Sequence, residues 1–86
     1  MNIVINWKPK ALKQLRKLPY QVQVEIVNSV SNLDDSFESN PKVTKLINHT
    51  YGYRLRAGNY RVLFDTREYK TVLLIEEVKK RDEHTH

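Results

Sequence analysis

Apolar side chains follow two different spacings in the first part of this 86-residue chain. From Asn2 to Trp7 they are spaced as in a strand, with Ile3 and Ile5 on one face, Val4 between them and then Trp7. From Lys10 to Leu18 and again from Tyr20 to Leu33 they recur every three or four residues, as on one face of a helix. Pro19 separates the two segments because proline cannot continue a helix. The pattern predicts a strand and then a helical hairpin, whose second helix has an apolar stripe of Val22, Ile26, Val30 and Leu33.

The clearest strand pattern lies in the second half of the chain. Tyr51–Ala57 and Tyr60–Asp65 both alternate, and Gly58-Asn59 between them forms a two-residue loop typical of a type II′ hairpin turn. This loop length fixes the register, so that Arg56 faces Arg61 across the pair of strands. One face of the hairpin then carries Tyr53, Leu55, Ala57, Tyr60, Val62 and Phe64, and the other carries Arg54, Arg56, Arg61 and Leu63.

A third strand is predicted over Thr71–Val78, where a continuous apolar run indicates a strand in the centre of a sheet or covered on both sides. Asp34–Pro41 reads as a polar loop that Phe37 anchors, and Val43–His49 follows no clear pattern. The order of elements predicts a single α+β domain over residues 1–86: an N-terminal strand, a helical hairpin and a three-stranded antiparallel meander. Both helices would cover one face of the sheet and leave the other open.

Three arginines share the predicted open face without a carboxylate. Like charges directly opposite each other destabilise a sheet, so a carboxylate would be expected opposite Arg61 rather than Arg56. Their placement suggests that an anion lies between them in the working state, because a guanidinium group can hold two phosphate oxygens at once. The alternative is that the arginines are simply exposed and screened by salt.

The end of the chain adds Lys79, Lys80 and Arg81 to this basic character. If the third strand pairs beside the second, Arg81 would extend over the arginine face. His84 and His86 would then be the nearby side chains whose ordinary pKa lies close to 7, which suits general acid or base catalysis. The alternative is a frayed, charged chain end. Tyr51 and Tyr53 fit either a place in the core or stacking on a nucleobase.

Composition narrows the class of function further. The net charge is +5, and the cations cluster: residues 1–20 hold five Lys or Arg and no acid. Such a surface suits nucleic-acid phosphates or an acidic protein, although it is also compatible with a solvated surface. The chain has no cysteine, which fits a reducing cytoplasm, and no apolar run long enough to span a membrane. We expect no metal or cofactor, since two histidines without a placed carboxylate make a weak metal motif and no phosphate-binding glycine loop is present.

Several ordered segments resemble the RelE/ParE toxins of bacterial toxin–antitoxin systems. The stretch Tyr53–Phe64 is similar to the core motif of that superfamily, and Trp7–Pro19 is similar to its first strand-to-helix segment. Lys45-Leu46 and Val78–Asp82 add to a resemblance that covers nearly the whole chain. The resemblance implies a RelE-like sheet of the microbial-RNase (barnase) type, with a helical hairpin against one face.

The resemblance also implies an activity. RelE-like members enter the ribosomal A site and cut mRNA without a metal, by attack of a 2′-hydroxyl on the adjacent phosphate. By position, Arg61 and Arg81 would hold the scissile phosphate, and His86 lies roughly where RNase members place a tyrosine, with His84 two residues before it. Gly52 stands where some members have another lysine. The implied catalytic set is therefore Arg61, Arg81, His84 and His86, and the implied RNA-binding set is Arg54, Arg56, Lys45, Lys79 and Lys80.

Three functions fit these features. The first is a ribosome-dependent mRNA endonuclease, which the arginine set favours. The second is a ParE-like inhibitor of DNA gyrase, and the third is an inactive homologue that only binds its antitoxin, which the missing terminal tyrosine favours. In each case we expect a cytoplasmic protein whose partner is a cognate antitoxin with an acidic, partly disordered segment, in a hetero-oligomer with the toxin.

Overall fold

The chain folds into one sheet with two helices packed on it, in a computed structural model that describes residues 3–81. The helices are α1 (Pro9–Arg16) and α2 (Tyr20–Ser31), followed by a 3₁₀ turn at Phe37–Ser39. The strands are β1 (Val4–Trp7), β2 (Val43–Lys45), β3 (Tyr53–Ala57), β4 (Tyr60–Arg67) and β5 (Val72–Lys80). Their order across the sheet is β1-β5-β4-β3-β2, with β1 and β5 parallel and the other pairs antiparallel. The predicted α+β class is confirmed.

The two helices form the predicted hairpin around Pro19. Helix α1 ends at Arg16, before the predicted Leu18, because the N–H groups of Lys17 and Leu18 donate to carbonyls three residues earlier. The proline that follows also disfavours a helical conformation at Leu18. The side chain of Gln23 donates to the Leu18 carbonyl at 2.8 Å and ties the start of α2 to this turn. None of the described helices is long and apolar enough to cross a membrane.

One hydrophobic core fills the space between the helices and the sheet. Helix α2 contributes Ile26 and Val30, which are 0% and 1% exposed, and the hairpin contributes its apolar face. Phe37 is 1% exposed and contacts the rings of Tyr53 and Phe64 at centroid distances of 5.2 and 5.7 Å. The loop that precedes β2 is therefore anchored in the core, as the sequence predicted.

The β3–β4 hairpin has the register that its two-residue loop predicts. Arg56 lies opposite Arg61, Leu55 opposite Val62 and Ala57 opposite Tyr60. Gly58 has a φ of +59°, and no positive φ occurs at Asn59, as a type II′ turn requires. The apolar face of the hairpin is consequently in the core, and the arginine face is on the side of the sheet that no helix covers.

Two strands extend the predicted meander at its edges. Strand β2 pairs antiparallel with β3 and accounts for part of the segment that showed no clear pattern. Strand β1 pairs with β5, so that β5 lies inside the sheet with neighbours on both sides. This position explains why Leu73, Leu74 and Ile75 are all buried.

A register shift between Leu63 and Phe64 changes which face the end of β5 presents. Leu63 pairs with Glu77 and Phe64 pairs with Ile75, so Glu76 is an extra residue on β5. Side chains alternate along a strand, and one extra residue reverses that alternation. Before the bulge, the odd-numbered Ile75 is in the core; after it, Glu77 and Lys79 lie on the open face.

Replacing Gly58 by alanine should destabilise the hairpin turn. Alanine at a φ of +59° costs roughly 1–2 kcal/mol, and its Cβ would lie 2.7 Å from a carboxylate oxygen of Glu25. We expect urea denaturation to show a free energy of unfolding lower by about 1–2 kcal/mol. The double variant Gly58→Ala/Glu25→Ala removes the contact with the carboxylate, so that the remaining loss measures backbone strain alone. Equal stability of Gly58→Ala and wild type would contradict the assigned turn.

Candidate functional site

Three cations lie in one row across the open face of the sheet. Arg56 on β3 is directly opposite Arg61 on β4, and Arg61 is directly opposite Lys79 on β5. The next row along the strands contains Arg54, Leu63 and Glu77. The predicted grouping of Arg54, Arg56 and Arg61 on one face is thus what the structure shows, and the bulge in β5 adds Lys79 to it.

These arginines line a concave site of about 180 Å³ at one end of the open face. Arg81 reaches it because β5 continues past the β3–β4 turn, where the Arg81 N–H donates to the Asn59 carbonyl at 2.8 Å. Among the described residues, none of the four arginines has a carboxylate within salt-bridge distance. The lining residues are Pro41, Lys42, Thr44, Arg54, Arg56, Arg61 and Arg81.

Strand β2 and the residue before it supply two lining residues that sequence reasoning missed. Thr44 is opposite Arg54, and the Lys42 carbonyl accepts a hydrogen bond from the Arg56 N–H at 2.9 Å. Thr44 therefore shares the face of Arg54, and Lys42 adds a fifth cation to the site. The available signal was the alternation of Lys42, Val43 and Thr44, but three residues are too few for a strand pattern to stand out.

Some of the predicted site residues lie elsewhere. Lys45 is opposite Tyr53, and Lys80 is opposite Tyr60. Because directly opposed side chains share a face, both lysines are on the helix side of the sheet, away from the arginines. Tyr53 is 6% exposed and packs in the core, so it offers no ring to a nucleobase. His84 and His86 lie outside the described residues.

One buried carboxylate adjoins the row of cations. Glu77 is 8% exposed and accepts a hydrogen bond from the Tyr51 hydroxyl at 2.8 Å. Its oxygens also lie 3.3 Å from the Lys10 Nζ and 3.8 Å from the Lys79 Nζ. The Tyr51 hydrogen bond first, and then the two lysines, hold the pKa of Glu77 below its ordinary value despite burial. The same hydrogen bond raises the pKa of Tyr51 to about 12.

The arrangement is suited to binding anions rather than to holding a cation. Guanidinium groups from two strands and from the end of a third converge on one concavity, where each can donate two parallel hydrogen bonds to oxygens of a phosphate. Within residues 3–81, no group of three or more His, Cys, Asp or Glu side chains is placed to hold a metal ion.

Comparison with known proteins assigns the family. The family described as "ParE toxin of type II toxin-antitoxin system, parDE" matches residues 5–85. The chain belongs to this family of ParE toxins. A search of the curated proteins gives no match for the toxin.

Solved structures of RelE proteins share the fold of the toxin. The RelBE2 toxin–antitoxin complex of Mycobacterium tuberculosis matches with a TM-score of 0.76 and 24% identity, covering 94% of the toxin and 100% of that chain. The archaeal RelE–RelB complex of Pyrococcus horikoshii matches with a TM-score of 0.76 and 24% identity, covering 98% of the toxin and 100% of that chain. An E. coli RelE double mutant in complex with an antitoxin RelBc peptide matches with a TM-score of 0.67 and 26% identity, covering 95% of the toxin and 86% of that chain. The toxin therefore combines membership of the ParE family with the fold of RelE structures.

Removing the central cation of the row should make the toxin more stable. Arg61→Gln relieves the repulsion from Arg56 and from Lys79, and directly opposed like charges cost roughly 0.2–1 kcal/mol each. We expect a higher free energy of unfolding at low ionic strength. The gain should shrink near about 1 M NaCl, where the Debye length is about 3 Å.

Arg67→Gln is the matched control, because it changes the same residue type on the same strand opposite the uncharged Val72. A gain of stability in the control equal to that in Arg61→Gln would show that the row carries no special repulsion.

The Glu77 network should make the stability of the toxin depend on pH. A lowered pKa in the folded state means that Glu77 stabilises the fold above its unfolded pKa of about 4.5, and that this contribution is lost as the pH falls through the folded value. Unfolding measured from pH 7 down to pH 3 should therefore show a smaller loss of stability in Glu77→Gln than in wild type. Glu76→Gln removes the same formal charge without these hydrogen bonds and should keep the wild-type slope. Parallel curves for wild type and Glu77→Gln would contradict the assignment.

Proposed function

We propose that the toxin is a ribosome-dependent endoribonuclease that inhibits translation by cutting mRNA in the A site. The observation that carries the proposal is the convergence of Arg54, Arg56, Arg61 and Arg81 on one concavity, with no carboxylate among the lining residues that lie within 3–81. A fold maintained only for stability gains nothing from a row of unopposed cations. A polyanion bound there would remove the repulsion.

The reaction that suits this site is internal transesterification of the RNA backbone. A 2′-hydroxyl attacks the adjacent phosphorus, the new O2′–P bond forms, and the bond from phosphorus to the 5′-oxygen of the next nucleotide breaks. The 2′-hydroxyl loses a proton and the departing 5′-oxygen gains one, leaving a 2′,3′-cyclic phosphate and a 5′-hydroxyl. The phosphoryl oxygens carry extra negative charge in the transition state, and placed cations stabilise that charge without any metal.

The residues divide into roles by their place in the concavity. Arg61 is at the centre of the row and Arg81 extends over its end, so we assign these two to the scissile phosphate. Arg54, Arg56 and Lys42 also line the concavity and would bind neighbouring phosphates. Lys79 would join them from its place beside Arg61 in the row. His84 and His86 remain our proposal for proton transfer.

A cognate antitoxin is the expected partner. The similar M. tuberculosis and P. horikoshii structures are toxin–antitoxin complexes, and the E. coli RelE structure contains an antitoxin peptide. With a net charge of +5, the toxin would attract an acidic segment, which can be disordered when free and fold over the basic face on binding. We propose this hetero-oligomer as the silent form of the toxin in the cytoplasm.

Inhibition of DNA gyrase is the second candidate function, and the ParE family match favours it. That function needs a protein interface rather than a phosphate site. It would leave the unopposed arginines without a role, which is why we rank it second. A homologue that binds only its antitoxin would lack both activities.

Cleavage of mRNA on programmed ribosomes tests the proposal. Purified toxin would be mixed with ribosomes that carry a defined A-site codon, and the cuts mapped by primer extension. We expect A-site cleavage by wild type and a rate lower by roughly 10²–10³ in Arg61→Gln, the cost of losing one group that stabilises transition-state charge. His86→Ala would report whether that residue transfers a proton.

Lys80→Gln is the matched control, because it removes a cation from the other face of the same sheet and should retain cleavage. Absence of cleavage by wild type that still binds its antitoxin would overturn the proposal, and a gyrase supercoiling assay would then test the second candidate. An equal loss of cleavage rate in Arg61→Gln and Lys80→Gln would show that the net charge of the toxin, rather than the concavity, supports the activity.

A further inference from the structure

The side chain of Tyr51 crosses the open face beside the row of cations. Tyr51 precedes β3, and its hydroxyl donates to Glu77 on β5 at 2.8 Å, with β4 between them. Adjacent strands are about 4.8 Å apart, so the ring must pass over β4 to reach this carboxylate. Leu63 is the β4 residue in the row of Glu77, and it is 4% exposed although no helix covers that face. The ring of Tyr51 therefore lies over Leu63.

One hydrogen bond fixes the end of this ring, and two others fix the backbone that carries it. The Tyr51 hydroxyl is bound by Glu77, and the Tyr51 N–H donates to the His49 Nδ1 at 3.1 Å. The next N–H, of Gly52, donates to an Asp65 carboxylate oxygen at 2.6 Å. The ring of His49 lies 6.2 Å from that of Tyr51 at an angle of 44°. Tyr51 is held before any ligand arrives, which lowers the entropic cost of stacking on it.

The hydroxyl of Tyr51 is unsuited to moving a proton. Its pKa is raised to about 12, foremost by the hydrogen bond to Glu77, so that it remains protonated at neutral pH. The part of Tyr51 that remains available is the ring, because the residue is only half-buried.

The position of the ring relative to the arginines matches the layout of a nucleotide. Leu63, beneath the ring, is two residues along β4 from Arg61, and two residues of an antiparallel strand span about 7 Å. A phosphate on Arg61 and a base on Tyr51 would thus lie within one nucleotide of each other. A base presents an apolar face to any aromatic ring, whatever its identity.

We propose that Tyr51, held by Glu77 and flanked by His49, is a stacking platform for the nucleobase next to the phosphate on the arginine face. The proposal rests on the proposed RNA-cleaving function and adds to it a base-binding subsite. It makes Tyr51 a substrate-binding residue and Glu77 the residue that positions it.

The test combines ring removal with base removal. Wild type, Tyr51→Phe, Tyr51→Leu and Tyr20→Leu would be compared in single-turnover cleavage on programmed ribosomes, with the concentration of toxin varied. The mRNA would be either intact or abasic at one nucleotide beside the scissile phosphate, on each side in turn. Tyr51→Phe keeps the ring and loses the hydrogen bond, and Tyr20→Leu removes a tyrosine that is 78% exposed on α2. Thermal unfolding would verify that each variant is folded.

The platform predicts a specific coupling between the two changes. With intact mRNA, Tyr51→Leu should raise the half-saturating concentration roughly 5- to 140-fold, the value of one base–aromatic stack, while the maximal rate should change much less. For wild type, mRNA that is abasic on one side of the scissile phosphate should raise the half-saturating concentration by a similar factor. For Tyr51→Leu, the same abasic mRNA should raise that concentration no further. Tyr51→Phe keeps the ring but loses the hydrogen bond to Glu77, so its half-saturating concentration should rise by a smaller factor than that of Tyr51→Leu. Tyr20→Leu should resemble wild type.

Three results would overturn the platform while leaving RNA cleavage intact. The first is that Tyr51→Phe raises the half-saturating concentration as much as Tyr51→Leu does, and the second is that Tyr20→Leu does so. The third is that the ratio of half-saturating concentrations between Tyr51→Leu and wild type is the same on intact and on abasic mRNA. No cleavage of intact mRNA by wild type would overturn the proposed function and, with it, the platform.

Discussion

The two-residue turn at Gly58 and Asn59 determines which side chains of the central hairpin enter the core. Because the loop has a fixed length, every residue of β3 has one partner on β4, and a slip by one position would bury the arginines. Burial of Leu55, Val62 and Phe64 under the helices makes that slip very unfavourable. The arginines are therefore held together on the other face by hydrophobic packing, even though their charges repel one another.

A second constraint acts at the end of β5. The bulge at Glu76 lets the strand place Leu73 and Ile75 in the core and then present Glu77, Lys79 and Arg81 to the opposite side. Without this reversal of alternation, Lys79 would point toward the helices. The basic face thus depends on two local backbone features: a tight turn at the start of β4 and a bulge in β5 opposite the middle of β4. Glu77, the carboxylate in the row next to these cations, is already bound by Tyr51, Lys10 and Lys79. Within residues 3–81 it forms no ion pair with the arginines.

The sequence predicted the parts of the fold that have strong periodicity. The helical hairpin, the register of β3 and β4 and the shared face of Arg54, Arg56 and Arg61 all follow from spacing and from one turn. Strand β2 was missed because three residues carry too little pattern, and Lys42 and Thr44 were missed with it. Lys45 and Lys80 were grouped with the arginines by charge and resemblance alone, and only strand pairing reveals that they lie on the other face. The apolar run before Glu76 hid the bulge, because a run that is apolar on both sides shows no change of alternation.

The central claim is that the four arginines of the open face form one phosphate-binding site. Side-chain Nε–H signals of 15N-labelled toxin would test it directly, in a titration with RNA that carries a 2′-deoxy nucleotide at the cleavage position. Arg54, Arg56, Arg61 and Arg81 should shift together, while Arg16 on α1 and Arg67 at the far end of β4 serve as internal controls in the same spectrum and should not. Equal shifts of all these signals, or no response from the four, would contradict the account.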